Sequence, residues 1–156
     1  MNAGPAPATS GADTHWLRRT IDLSRMCPPS DTAFSVGCTV VAADGTVLEE
    51  GYSRRDDPHD HAEEAALRDI DPADPRLAGA TLYSSLEPCS SRASRPLPCA
   101  SLILTTPIPR VVFAWREPAL FVDCVGAEQL RAAGRTVLER ADLADGVREA
   151  NAHLLG

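Results

Sequence analysis

The chain has 156 residues, a formal net charge of -7 and 44% hydrophobic residues. That is enough apolar material for one domain that buries roughly two-thirds of its unfolded surface. The acidic balance argues against general nucleic-acid binding, and an aromatic content of 4% leaves few platforms on which a strand would stack. No apolar run is long enough to span a bilayer.

Met1 to Gly11 is built from Ala, Pro, Gly, Ser and Thr, without a basic and then apolar run. Residues 1–12 are therefore expected to be a disordered tail and not a signal peptide, with residues 13–156 forming one domain. A cytoplasmic setting is the default expectation. Trp16, Leu17, Thr20, Ile21 and Ser24 recur at helical spacing. Asp13 or Thr14 is the expected cap of that helix, and Pro28-Pro29 stops it. Val36 to Ala42 is rich in β-branched residues, Asp44-Gly45 signals a turn, and Thr46 to Glu50 completes a hairpin.

After the charged loop Arg54 to Asp60, His61 to Ile70 predicts a helix whose Ala62, Ala65, Ala66 and Ile70 face a sheet. Asp71-Pro72 and Asp74-Pro75 break it. Thr81 to Ser84 predicts a short strand, Cys99 to Thr105 a helix, and Arg110 to Trp115 another strand. Gly126 to Ala133 predicts a helix with Gly134 as its C-cap. Thr136 to Leu138 follows as a last strand and Leu143 to Leu154 as a terminal helix. Strands alternating with helices of this length imply a layered α/β domain.

The chemistry concentrates in His61-Ala62-Glu63, Pro88-Cys89 and Cys99. One neutral imidazole and two thiolates cancel the charge of Zn²⁺ and leave its fourth position for water, whose pKa a catalytic zinc lowers. Glu63 is a carboxylate free for proton transfer, placed with His61 in the first turn of one helix. This inventory is that of a site that deaminates a heterocyclic base by adding water. A closed structural zinc site would need a fourth protein ligand, for which His59 is the candidate. His59 also competes with His61, but only His61 has a Glu two positions later. Backbone donors around Ser85 and Leu86 are expected to orient the ring, from their closeness to Pro88-Cys89. The odd count of five cysteines argues against a disulfide scaffold. Cys27, Cys38 and Cys124 are expected to be inert thiols, with Cys38 in a buried strand.

The segment from Gly51-Tyr52 to His61-Ala62-Glu63, and then Thr81-Leu82-Tyr83-Ser84-Ser85-Leu86-Glu87-Pro88-Cys89-Ser90, is similar to the cytidine deaminase-like superfamily. Within it, the chain most resembles the riboflavin-pathway pyrimidine deaminase domain. Arg95, Pro96, Pro98, Cys99, Glu117-Pro118, Gly126, Leu130 and Ala133-Gly134 also look like that family. The resemblance implies a three-layer α/β/α fold with a central mixed sheet and a hydrolytic deaminase. It assigns the metal to His61, Cys89 and Cys99 and the proton shuttle to Glu63. It further implies an aminopyrimidine substrate and assembly as a homodimer or homotetramer, in which Trp115, Leu120, Phe121 and Val122 are candidate interface residues.

Some positions depart from the family. Ala33-Phe34-Ser35 stands where Pro-Asn-Pro is usual, and it looks like the matching segment of nucleoside deaminases, which makes Phe34 a candidate pocket residue. Ser91 replaces the customary His, and the inter-cysteine loop is one residue longer. Three readings stand at this point. The first is a phosphoribosylated diaminopyrimidinone substrate, with Arg92 and Arg95 on its phosphate. The second is a cytidine- or cytosine-type deaminase, or one for another heterocycle of specialised metabolism. The third is a non-catalytic, zinc-stabilised interaction domain. Arg54 and Arg55 are either ligand-facing or plain solvated loop charges.

Overall fold

In the computed structural model, residues 11–90, 97–116, 118 and 124–155 are described. The elements are α1 (Gly11–Ser24), β1 (Gly37–Val41), β2 (Val47–Tyr52), α2 (Ala62–Arg68), β3 (Thr81–Leu86), α3 (Cys99–Leu104), β4 (Arg110–Trp115), α4 (Gly126–Ala132), β5 (Thr136–Glu139) and α5 (Ala144–Ala150). Short 3₁₀ turns cover Pro75–Gly79, Ala141–Leu143 and Ala152–Leu154.

The five strands form one sheet in the order β2-β1-β3-β4-β5. The pairs β1–β2 and β1–β3 are antiparallel, and β3–β4 and β4–β5 are parallel. The sheet is therefore mixed, as the family resemblance implies. Antiparallel pairing at one side follows from the tight hairpin, where Gly45 takes a φ of +90° and Thr46 donates its backbone N–H to Asp44 Oδ1 at 2.9 Å. Parallel pairing on the other side needs crossover segments, and α3 and α4 supply them.

Side-chain alternation divides the strands between two cores. Val36, Cys38, Val40, Leu82, Leu86, Val111 and Phe113 pack with Ala62, Ala66, Ala100, Ile103, Ala127 and Leu130 from α2, α3 and α4. Val41, Tyr83, Val112 and Ala114 pack with Leu17, Ile21 and Val147 from α1 and α5. That gives three layers, with the sheet in the middle. Among the described residues, no helix is long and apolar enough to cross a membrane.

Several expected boundaries move. α1 starts at Gly11, two residues inside the expected tail, while residues 1–10 lie outside the described residues. Strand β3 extends to Leu86, because Leu86 still pairs with Trp115. The terminal helix is shorter than its apolar pattern suggests and breaks at Asn151 into a 3₁₀ turn.

Asp13 is not a helix cap. It is buried within the first turn of α1, where Oδ1 and Oδ2 accept from Arg110 Nη1 and Nη2 at 2.8 and 2.6 Å. Tyr83 donates its hydroxyl to Oδ1 at 2.6 Å. Burial, followed by the neighbouring Asp13 carboxylate, pushes the Tyr83 phenol well above its ordinary value. Arg140 reaches the same corner, donating from Nη2 to Thr14 Oγ1 at 2.9 Å. These bonds pin α1 across β3 and β4. Removing the carboxylate strands the half-buried Arg110 guanidinium beside a buried phenol. Asp13→Ala is expected to lower unfolding free energy by about 3 kcal/mol, the scale of breaking a buried ion pair, and Tyr83→Phe by about 1 kcal/mol, as read by urea denaturation.

Candidate metal and proton-transfer site

Three chain segments meet on the α2 side of the sheet. His61 is the residue just before α2, Cys89 lies in the loop after β3, and Cys99 is the first residue of α3. The approach of α2 is set by small residues. Ala62, Ala65 and Ala66 are fully buried, and a Cβ on Gly51 of β2 would come within 2.6 Å of Ala62 O and Ala66 N. Only a glycine lets this strand lie against the helix backbone, so the position of His61 depends on it.

The preceding loop is also fixed. Arg54 takes a φ of +60° and donates its backbone N–H to Asp60 O at 2.8 Å. The buried Asp60 carboxylate accepts from Arg68 Nη1 of α2 at 3.1 Å. Glu64 Oε1 accepts from the backbone N–H of His61 at 3.4 Å.

His61 Nδ1 lies 3.3 Å from Cys99 Sγ and 3.6 Å from Cys89 Sγ. All three donor atoms lie within 4.8 Å of one another, and among the described residues this is the one group suited to a metal ion. A tetrahedral zinc with ordinary Zn–S and Zn–N bonds separates sulfur from nitrogen by about 3.5 Å, so these spacings and this donor set fit zinc. His59 is not in the group, which removes the competing ligand and the closed four-ligand site built on it.

The Cys99 backbone N–H donates to Cys89 Sγ at 3.1 Å. The Cys89 thiol is drawn down to about 4, chiefly by its hydrogen bond with Cys99 and then, against burial, by the His61 ring. Thiolate is the form that binds metal, and these neighbours favour that form at Cys89.

Glu63 is buried in the first turn of α2. Burial, and next the charge of Cys89, push its carboxyl up, while His61 and a hydrogen bond from Ser84 oppose this. Ser84 Oγ donates to Glu63 Oε2 at 3.1 Å. Ser84 was not anticipated from sequence. The signal was available in strand alternation, which puts Ser84 on the same face as Leu82 and Leu86.

The expected ring-contacting residues are placed less uniformly. Ser85 is buried, and its Oγ accepts from Gly37 N at 3.0 Å, which ties the side chain to β1. Leu86 is buried at the end of β3 beside Trp115. Phe34 packs edge-to-face on Trp115, with ring centroids 5.9 Å apart. Arg92 and Arg95 lie outside the described residues, as do Leu120, Phe121 and Val122 of the expected interface. Trp115, the fourth of that set, is half-buried under Phe34 and the Arg148 guanidinium.

Two unforeseen side chains hold the Phe34 segment. Arg54 donates to Phe34 O, Ser35 Oγ and Pro28 O at 3.1, 2.8 and 2.7 Å. The fully buried Asn151 accepts from Ser35 N at 2.6 Å and donates to Ser35 O at 3.0 Å. Arg55 is likewise structural, bonding Glu50 O and pairing with Asp56 and Asp69. All five cysteines are free thiols. Cys38 is buried in β1, and burial followed by the nearby Glu63 charge raises its pKa well above the ordinary value.

A mixed sheet flanked by helices, with one imidazole, two thiols and a buried carboxylate gathered at one end of its strands, defines a zinc-binding deaminase domain. The chain belongs to the cytidine and deoxycytidylate deaminase family, whose zinc-binding region matches residues 11–115. It is 37% identical over 133 residues to the diaminohydroxyphosphoribosylamino-pyrimidine deaminase of Schizosaccharomyces pombe, covering 83% of this chain and 32% of that protein. It is similar to the structure of RibD from Acinetobacter baumannii, with a TM-score of 0.74, 28% identity, and 92% of this chain and 39% of that one covered. The fold is shared with the Rib2 deaminase of Aspergillus oryzae solved in complex with DARIPP, at a TM-score of 0.71 and 21% identity, with 93% and 97% covered. The chain spans about a third of the length of the curated relatives it matches.

A site of three protein donors predicts one zinc per chain. Elemental analysis of purified variants should find zinc largely lost from His61→Ala, Cys89→Ala and Cys99→Ala. It should be retained near one equivalent in His59→Ala and Glu63→Gln.

Proposed function

We propose that the chain is a zinc-dependent hydrolytic deaminase of an aminopyrimidine, acting on the phosphoribosylated diaminopyrimidinone of the riboflavin pathway. The observation that carries this reading is the buried Glu63 beside the His61, Cys89 and Cys99 cluster. The similarity to the S. pombe deaminase supports the substrate class. In this reading His61, Cys89 and Cys99 hold the zinc, and residues 13–156 act as one catalytic domain.

Zinc, when bound, supplies a water acidic enough to attack at neutral pH. Every proton movement then falls to Glu63. Its carboxylate takes a proton from the attacking water and passes one to the ring nitrogen next to the amine-bearing carbon. A further transfer to the departing amine releases ammonia. The Ser84 hydroxyl is shared between Glu63 Oε2 at 3.1 Å and Leu86 O at 2.7 Å, which ties the carboxylate to the end of β3. Burial raises the Glu63 proton affinity, which favours a group that both takes and gives a proton.

The Phe34 segment forms one wall of the ring pocket, and backbone groups at Ser85 and Leu86 orient the base. Arg92 and Arg95 bind the phosphate as charge-assisted donors. The protein works on a small molecule, in a cytoplasmic setting, as a homodimer or homotetramer whose neighbouring subunits help line the pocket. A second reading is favoured by Phe34 itself: an aromatic wall suits a different aminated heterocycle in the manner of nucleoside deaminases.

Ammonia release separates the two. The phosphoribosylated diaminopyrimidine should turn over well ahead of cytidine, cytosine, guanine and the free diaminopyrimidine. Strong turnover of cytidine or cytosine alone would move the assignment to the second reading, and a zinc-loaded protein inactive on all of them would remove the enzymatic one. Glu63→Gln should keep its zinc and lose about 100-fold or more in kcat. Phe34→Ala should fold and show a raised KM. Arg92→Ala and Arg95→Ala should weaken the phosphorylated substrate more than its dephosphorylated form; equal losses on both would take the phosphate away from these arginines.

A further inference from the structure

The four residues from Glu87 to Ser90 are each tied to a neighbouring segment, and three of the ties run to residues 124–127. The Glu87 side chain is fully buried, and its Oε2 accepts from Ala127 N at 3.1 Å and Arg116 Nη1 at 3.4 Å. Pro88 O accepts from Cys124 Sγ at 3.3 Å. Ser90 Oγ accepts from Val125 N at 3.0 Å. Cys89 O is the exception and accepts from Ala100 N of α3 at 2.9 Å.

Gly126 shows how close the two segments are. A Cβ there would sit 1.8 Å from Pro88 O and 3.0 Å from Pro88 C. Arg116 strengthens the joint, because the same guanidinium reaches Glu128 Oε1 on α4 at 3.1 Å and Glu139 Oε1 on β5 at 3.8 Å. The start of α4 supplies none of the metal-binding or proton-transfer side chains, and it lies beyond the matched family region, which ends at residue 115.

We propose that residues 124–127 act as a template that fixes the Cys89 sulfur, with Glu87 as the positioning residue that sets the register between template and loop. Cys89 sits between two anchored neighbours, so its Cα cannot shift without breaking the Ala127–Glu87 or the Val125–Ser90 bond. The buried Glu87 suits this joint because one side-chain oxygen accepts from a backbone N–H and a guanidinium at once. Metal affinity depends on such support, since losing an outer partner of a ligand costs about 10- to 100-fold. The proposal rests on zinc binding at His61, Cys89 and Cys99.

The test uses purified full chain and two metals. Zinc affinity is measured by chelator competition, and the thiolate-to-metal absorption is recorded after loading with Co²⁺. Glu87→Ala should weaken zinc by about 10- to 100-fold and shift the cobalt spectrum. Glu87→Gln, which keeps an acceptor for the Ala127 N–H, should stay within a few-fold of wild type. Gly126→Ala should reproduce the cobalt shift without altering any charge, by pushing on Pro88. A merely structural role would lower thermal stability and leave the cobalt spectrum of the folded protein as in wild type. A folded Glu87→Ala protein with wild-type zinc affinity and cobalt spectrum overturns the proposal. Should Glu87→Ala not fold, Gly126→Ala and Ser90→Ala decide by the same two readouts. Absence of zinc binding in the wild type would defeat the metal site itself, whereas tight wild-type binding with unmoved variants defeats only the template.

Discussion

Bringing two sulfurs and an imidazole nitrogen to within 4.8 Å of one another is the constraint on which this structure turns. The donors come from the start of α2, the loop after β3 and the start of α3, so no single element can set their spacing. Each element must be docked on the sheet to within a fraction of an ångström. The close packing seen around them follows from that need. Alanines line the inner face of α2, and a glycine on β2 lets the helix backbone come down onto the strand.

The same end of the sheet also holds buried charge. Glu63 lies next to a low-pKa thiol and would be expelled or neutralised in a plain apolar core. The Ser84 hydroxyl and the His61 ring moderate this cost. The other end of β3 and β4 has its own buried charge, where Asp13 is matched by Arg110 and Tyr83. The two clusters differ in kind. Asp13 is met by a paired guanidinium and a phenol, which suits a fixed joint. Glu63 has lighter support and a raised proton affinity, which suits the proton-transfer role proposed for it.

Much of this was legible in the sequence because it rests on local patterns. Asp44-Gly45 marked the hairpin, alanines at helical spacing marked the buried face of α2, and β-branched runs marked the strands. His61, Cys89 and Cys99 stand out because their chemistry is rare and ordered along the chain, and the structure brings these three together. What escaped was non-local. Asp13 has the composition of a helix cap, and nothing nearby signals that Arg110 waits 97 residues on. Asn151 looked like an ordinary residue of a terminal helix, although it bonds a segment 116 residues away. Arg54 reads either as a ligand-facing or as a solvated loop charge, whereas its guanidinium bonds the carbonyls of Pro28 and Phe34.

Asn151 and Arg54 also set how this domain can be divided into exchangeable parts. The segment around Phe34 and Ser35 touches the chain near residue 54 and again near residue 151. Swapping it alone for a relative's loop would leave the buried Asn151 amide and the partly buried Arg54 guanidinium facing backbone of the wrong shape. A graft that retains the native loop must therefore travel as three separate pieces, drawn from near the beginning, the first third and the last turn of the chain.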